Sequence, residues 1–377
     1  MKTANLNSVL GINKLEVRMN ETPVGTLALT SNHVVAFQYN QQWIASGFSI
    51  SPFTLKLKNK VYVPKYQPFE GLFGVFNDCL PDGWGRLLTD RMLKAHGINP
   101  NTTNSLEHLA LTQSNAVGAL NFRPCYADEN KVEYSNFDEL ASECKKIFDD
   151  IDVADIDKYY KLGGSSGGAR PKVNVLINGE HWIVKFGSSL DASNIGEVEF
   201  KCNELAAKCG IEVTEHKLIP SKICSGIFAS KRFDYCNTNE TAKKFHVVSA
   251  GGLLEASHRV PAFDYNSLLK LTLVLTQSMA EVEKMFQLMV FNVAIGNKDD
   301  HAKNFSFYYD EAGGVWHLCP AYDLTPNAGM AGEHTTTVNG KGKNITKADM
   351  IDGAKRIGIS NAKAKTLLEH VFDIVGE

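Results

Sequence analysis

Ile295-Gly296-Asn297-Lys298-Asp299-Asp300-His301-Ala302-Lys303-Asn304-Phe305 ends an apolar helical run and opens a polar loop. Asp299 and Asn304 stand five residues apart. That is the spacing of the catalytic loop of phosphoryl-transfer enzymes, in which the carboxylate accepts a hydroxyl proton and the amide oxygen binds magnesium. Nineteen residues beyond Asn304, the stretch Pro320-Ala321-Tyr322-Asp323-Leu324-Thr325-Pro326 places a lone carboxylate at a tight, apolar-flanked turn. It is similar to the aspartate that chelates a phosphate-bridging metal, and hard oxygen ligands of this kind suit magnesium, which keeps several of its waters. An alternative takes Asp299, Asp300, His301 and Asp323 as a transition-metal hydrolase site, although there is no HExxH and no second histidine nearby. Helix capping explains Asp299 or Asp323 singly, but not both together with Asn304.

Working upstream, Gly163-Gly164-Ser165-Ser166-Gly167-Gly168-Ala169-Arg170-Pro171-Lys172 precedes a run of strands. Its glycines let backbone N–H groups approach phosphate oxygens. The stretch matches neither Walker A nor GxGxxG, and by itself it also reads as a flexible linker. Lys185 in Trp182-Ile183-Val184-Lys185-Phe186 is a charge within an apolar strand, and Glu199 follows on the next expected helix. A strand lysine and a helix glutamate are the pair that protein kinases use to hold nucleotide phosphates. A lysine alternating with buried neighbours also fits a solvent-facing position.

Period-two alternation across 15–124, as in Lys14-Leu15-Glu16-Val17-Arg18, predicts a β-rich unit with helices at 82–96 and 105–112. A charged linker at 126–134 and a helix at 137–148 follow. Strands at 173–177 and 182–186 flank the turn Asn178-Gly179-Glu180-His181. A helix at 196–209 stops at Gly210, further strands are expected at 217–219, 227–232 and 245–249, and helices dominate from there, notably 264–275 and 280–295. The expected architecture is α+β and two-lobed: an N-terminal β-rich subdomain at 1–125, a β-rich nucleotide lobe at 126–236 and a helical lobe at 237–377.

Composition sets the outer bounds. With 377 residues, 44% hydrophobic and 21% charged, the chain has the balance of a soluble globular protein of two or three units. A net charge of -3 and a pI near 6.4 provide no overall field for nucleic acid or anionic membrane. The basic spot Lys341-Gly342-Lys343 reads as a solvated turn. No signal peptide and no membrane-length apolar segment stand out. Eight scattered cysteines without a CxxC pair read as reduced core thiols. The expected compartment is the cytoplasm.

Taken together these motifs resemble the HipA family of toxin kinases over nearly the whole chain. Leu80-Pro81-Asp82-Gly83-Trp84-Gly85 resembles the signature of that family's N-terminal subdomain, and Gly118-Ala119-Leu120-Asn121-Phe122 its closing strand. Ser165 to Lys172 is similar to its Ser-x-x-Gly-Ala-x-x-Lys loop, and Asp299 to Phe305 to its Asp-Gly-His-Ala-Lys-Asn-Phe, with Asp300 standing where glycine is usual and adding charge beside the base. The chain is also short at its C-terminus, so a trimmed helical lobe is expected.

The resemblance implies an ATP- and magnesium-dependent, autophosphorylating protein serine/threonine kinase that acts on a translation component such as an aminoacyl-tRNA synthetase. It implies Asp299 as base, Asn304 and Asp323 as magnesium ligands and Lys185 as the phosphate-contacting lysine. Ser165, Ser166, Gly167, Gly168, Ala169, Arg170 and Lys172 would form the phosphate loop. Lys231-Arg232-Phe233-Asp234 would be the hinge, with the backbone of Lys231 and Phe233 meeting adenine and Asp234 completing the nucleotide-binding set. His301 is an extra γ-phosphate contact or a loop anchor. Ser165, with Ser166 beside it, is the implied autophosphorylation site. Trp84 and its glycines read as packing. The implied partner is a helix-turn-helix antitoxin of HipB type, which would contact DNA on the chain's behalf. The rival readings are a catalytically weak nucleotide-binding co-repressor and a small-molecule kinase.

Overall fold

Alternating burial along Lys14–Met19 puts Leu15, Val17 and Met19 inside, and this strand sits within an antiparallel sheet. The order is Val61–Tyr62, Val35–Tyr39, Thr22–Leu29, Lys14–Met19, Leu120–Arg123. The structure, a computed structural model, describes residues 6–112, 116–126, 134–236, 243–261 and 263–376. The expected linker at 126–134 lies, apart from its two ends, outside the described residues.

A second sheet follows in the order Lys172–Ile177, Glu180–Lys185, Ile227–Lys231, His216–Ile219. Its first hairpin is tighter than expected, because Ile177 pairs directly with Glu180 and leaves a two-residue turn. Asn178 and Gly179 both take positive φ, 53° and 77°, as the hairpin turn that matches strand twist requires. Glu180 and His181 are therefore strand residues.

The helices Gly83–Ala95, Phe137–Phe148 and Ile156–Gly163 supply Trp84, Leu88, Leu140, Cys144, Ile147, Tyr159 and Leu162 to one core. Val173, Val175, Trp182 and Val184 of the second sheet complete it. A helix of the N-terminal segment shares this core, and one compact body, Met1–Glu197 with Lys217–Val248, takes in the expected unit at 1–125 and most of the one at 126–236. The other body is Val198–His216 with Ser249–Glu377.

In the second body Met279–Ile295 is the central helix. Ser278 caps its start by accepting from the N–H of Glu281, and Gly296 ends it in the left-handed region at φ 69°. Tyr265–Thr276 and Asn361–Gly376 pack on it, and Lys347–Arg356 packs on the last of these. A hairpin, Ser306–Asp310 with Val315–Leu318, interrupts the helices. Its short strands escaped the expectation of helical dominance. The buried Glu281 carboxylate accepts from the N–H of Leu318 at 2.8 Å and fixes the hairpin to the helix.

None of the eight cysteines forms a disulfide. Lys341 and Lys343 are ion-paired with Asp349 and Glu333 at 2.7 and 3.1 Å on the exposed surface. No helix among the described residues is long and apolar enough to cross a membrane.

Candidate active site

The loop after Gly296 is held by its own amides. Asn304 Nδ2 donates to the backbone carbonyl of Asp299 at 2.7 Å, and the N–H of His301 donates to the same oxygen at 2.9 Å. The turn is thereby closed, with the Asp299 side chain on its exposed rim. Asn297, buried, donates to Asn292 Oδ1 at 3.0 Å and to the Asp323 carbonyl at 3.1 Å. Tyr322 donates to the carbonyl of Lys303 at 2.6 Å and shares a 2.5 Å hydroxyl contact with Ser306. Asp323 itself is left-handed at φ 55°, a conformation that Asp tolerates better than most residues and that clusters at functional sites. Asp299, Asn304 and Asp323 are thus tied into one loop cluster of the second body.

His301 lies in the same cluster. Its Nδ1 accepts from the N–H of Lys303 at 3.3 Å and its ring lies 5.4 Å from that of His258. These contacts are those of a loop anchor.

Asp300, next to the expected base in the chain, is fully buried. Oδ2 accepts from the Tyr265 hydroxyl at 2.8 Å and from His334 Nδ1 at 3.0 Å, and Oδ1 accepts from the N–H of Thr336 at 3.1 Å. Burial, then the Asp300 carboxylate, push the Tyr265 phenol up, which keeps it a donor. Asn292 Nδ2 donates to the Tyr265 oxygen at 3.1 Å, joining this hub to Asn297. With both Asp300 oxygens engaged, the transition-metal alternative loses a ligand, and among the described residues no three His, Cys, Asp or Glu side chains gather as a metal cluster. Magnesium fits better. The Asn304 nitrogen is committed to Asp299, which orients Oδ1 as the acceptor, and Asp323 adds one hard oxygen donor.

In the first body, the glycine-rich loop closes onto the sheet. Lys172 Nζ donates to the carbonyl of Gly167 at 2.6 Å, and the N–H of Ser166 donates to the carbonyl of Gly163 at 2.9 Å. Ser165 and Ser166 are buried, and Asn174 Nδ2 donates to Ser166 Oγ at 3.3 Å. Gly167, Gly168 and Ala169 form the exposed tip, and Arg170 is paired with Asp191 at 3.0 Å. Lys172 and Lys185 are directly opposite each other on neighbouring strands. Side chains of such a pair share one face with Cβ atoms roughly 5 Å apart, so Lys185 leaves the sheet on the same face as Lys172, whose ammonium is tied to the loop. Lys185 Nζ also lies 5.8 Å from the centre of the Phe228 ring. Glu199, 3% exposed, belongs to the second body.

The expected hinge is a buried knot. Arg232 donates Nε to Asp234 Oδ1 at 2.9 Å and Nη2 to Oδ2 at 2.6 Å, and the N–H of Gly118 adds a third bond to that carboxylate at 2.8 Å. Burial alone would raise the Asp234 carboxyl, but Arg232, Lys244 and the Gly118 N–H together outweigh it and hold the group below the usual range. Arg232 Nη2 and Lys244 Nζ both donate to the carbonyl of Ala116 at 2.9 Å. The Asp234 side chain is therefore used to tie residues 116–118 to this segment. The Lys231 side chain pairs with Glu180, and Phe233 sits half-buried at the turn between. Sequence reasoning missed Tyr265, His334 and Thr336. Nothing local marks them, since each meets Asp300 across 34 to 36 residues.

Two family models match the chain: the HipA N-terminal domain over residues 15–123 and the HipA-like C-terminal domain over residues 164–376. A Sinorhizobium fredii protein designated a kinase is 26% identical over 343 residues, covering 86% of this chain and 80% of that protein. A second protein of that organism with the same designation is 30% identical over 102 residues, 26% of this chain and 24% of its own length. Among solved structures, the HipA toxin of Shewanella oneidensis MR-1, in a complex with HipB and operator DNA, superposes with a TM-score of 0.70. That match covers 96% of this chain and 88% of the toxin at 18% identity. The α+β fold expected from the sequence is the fold observed, and it is the fold of the Shewanella HipA toxin.

Proposed function

The chain belongs to the HipA family, and from that premise we propose that it is an ATP- and magnesium-dependent protein serine/threonine kinase. The observation that carries the reading is the hydrogen-bonded cluster of Asp299, Asn304 and Asp323, in which one amide orients the loop and another ties it to the Asp323 turn. Asp299, on the exposed rim, takes the proton of a substrate hydroxyl as its oxygen attacks phosphorus. Asn304 Oδ1 and Asp323 are the side chains that would hold the metal. Lys172, tied to the loop, and Lys185 opposite it bring positive charge to one face of the sheet, which suits phosphate oxygens at the exposed glycine backbone. When bound, the magnesium nucleotide supplies the transferable phosphoryl group and the charge that bridges its phosphates. Catalysis then rests on positioning and charge neutralisation rather than on covalent chemistry.

The HipB complex of the Shewanella toxin supports a helix-turn-helix antitoxin as partner, and the substrate we propose is a translation component such as an aminoacyl-tRNA synthetase. The deciding experiment incubates purified chain with γ-labelled ATP and magnesium, with and without cell extract. Label on serine or threonine of protein is expected. Nucleotide binding without transfer would instead leave a co-repressor module, and label on a metabolite would indicate a small-molecule kinase.

A further inference from the structure

The Asp82-Gly83-Trp84-Gly85 turn was read as packing, and the structure places it against the glycine-rich loop within the same compact body. Asp82 occupies the N-cap position of the helix Gly83–Ala95, yet its carboxylate makes no capping bond to that helix. It accepts instead from the N–H of Gly168. The helix donor at Trp84, which would otherwise lack an intrahelical partner, donates to the carbonyl of Gly168 at 2.8 Å. Helix and loop have exchanged partners: the carbonyl of one loop residue, Gly168, caps the helix, and the capping side chain of the helix holds the N–H of that same residue. A third bond, from the Trp84 indole Nε1 to the carbonyl of Lys172 at 2.9 Å, fixes the far end of the loop where it enters the sheet.

The glycines of the turn follow from this close approach. Gly83 has φ 43°, and a Cβ there would drive into the Gly168 carbonyl; a Cβ at Gly85 would drive into that of Ser166. Backbone meets backbone with no room for a side chain. Loop geometry is thus set from three points on one turn of the N-terminal segment.

We propose that residues 82–85 are a positioning clamp for the glycine-rich loop, with Asp82 the residue that sets its nucleotide affinity. The proposal rests on the reading that this loop takes the phosphates of ATP. A charge-assisted bond to a backbone N–H orients the Gly168 peptide before nucleotide arrives, so the ordering cost is met by folding rather than by binding. Asp82 acts through Gly168 and is not itself a catalytic residue.

The test measures magnesium-ATP affinity by titration calorimetry on the full chain, KM and kcat for ATP, and amide exchange of residues 165–170. Asp82→Ala should weaken affinity and raise KM by about five- to tenfold, leave kcat within about twofold, and speed exchange at the loop tip. Asp82→Asn keeps an accepting oxygen and should recover most of the affinity. It also serves if Asp82→Ala folds poorly. An unchanged or tighter affinity in Asp82→Ala, while Lys172→Ala or Lys185→Ala weakens binding, overturns the clamp, since the carboxylate would then be idle or competing with phosphate. No nucleotide binding by the native chain, or binding indifferent to both lysines, overturns the underlying reading of the loop and this inference with it.

Discussion

Asn297 Nδ2 reaches the backbone carbonyl of Asp323 at 3.1 Å, across twenty-six residues of sequence. That bond joins the loop bearing Asp299 to the turn bearing Asp323, and a parallel bridge between Asn297 and Asn327 runs beside it. The amide is buried and also meets Asn292 at the end of the central helix. A proposed base and a proposed metal ligand are thus referred to the same rigid helix, the kind of support that holds a site to fractions of an ångström.

Asp299→Asn should abolish detectable phosphoryl transfer and leave the fold intact. The side chain is exposed, so little packing is lost, whereas a positioned general base contributes roughly 10²–10⁴-fold. Asp323→Ala should be comparably severe through the metal. Label transfer by a well-folded Asp299→Asn protein at near-native rate would falsify the assignment of the base.

Asp300→Ala should behave in the opposite way, with a large loss of stability preceding any effect on chemistry. It leaves the Tyr265 hydroxyl, His334 Nδ1 and the Thr336 N–H without their acceptor in the interior, a cost of about 2–4 kcal/mol. Tyr265→Phe removes one of those donors and should cost about 1 kcal/mol. Denaturant midpoints of the three proteins decide it. Equal midpoints for Asp300→Ala and the native chain would show that the hub holds nothing.

Acid should destabilise the first body before its carboxylates titrate. Burial pushes His246 down to about 4, against the bond from Nε2 to the carbonyl of Ile50. Burial and the nearby Arg86 push His108 down to about 4. Both imidazoles are neutral when folded and gain a proton on unfolding, so the unfolded chain binds more protons between pH 6.5 and 4 and stability falls as pH drops through that window. Each accounts for on the order of 3 kcal/mol at the low end. Urea midpoints at pH 7.5, 6.0 and 5.0 should decline, and His246→Gln should flatten the slope. A slope unaffected by that change places the proton uptake elsewhere.

Much of this was legible in advance because it is local. The alternating run at 14–18 and the helix at 280–295 follow from periodicity, which acts within a few residues. The pairing of Asp299 with Asn304 is equally local, five residues apart in one turn. Asp300 was not legible, because whether a carboxylate is solvated or buried depends on Tyr265 and His334, which no window of sequence brings near. The same holds for Trp84. Its indole packs in the core as read, but its N–H groups serve a loop more than eighty residues away.

Co-expression with a helix-turn-helix protein of HipB type should yield a stable complex that retards operator DNA, whereas the isolated chain should not. The chain carries a net charge of -3 and its basic turn at 341–343 is already ion-paired. Tight, sequence-specific binding of DNA by the chain alone would contradict this division of labour.

Ser165, with Ser166 as the second candidate, should be phosphorylated by the protein itself, and this should lower its nucleotide affinity. Both residues are buried, 7% and 8% exposed, with Ser166 accepting from Asn174. A phosphate adds about -1.5 to -2 charges and three strong acceptor oxygens, which cannot be accommodated without displacing the loop from beneath the Asp82 and Trp84 contacts. Modification therefore requires the loop to open first, and the product holds it open, separated from the Lys172 tie to Gly167. Mass spectrometry of protein made in native and Asp299→Asn forms should find the phosphate only in the native form. Magnesium-ATP should then bind the modified protein at least about tenfold more weakly, as expected when an oriented loop is lost. Phosphate in the Asp299→Asn protein would mean that another kinase places it, and equal affinity of the modified and unmodified chains would remove the switch.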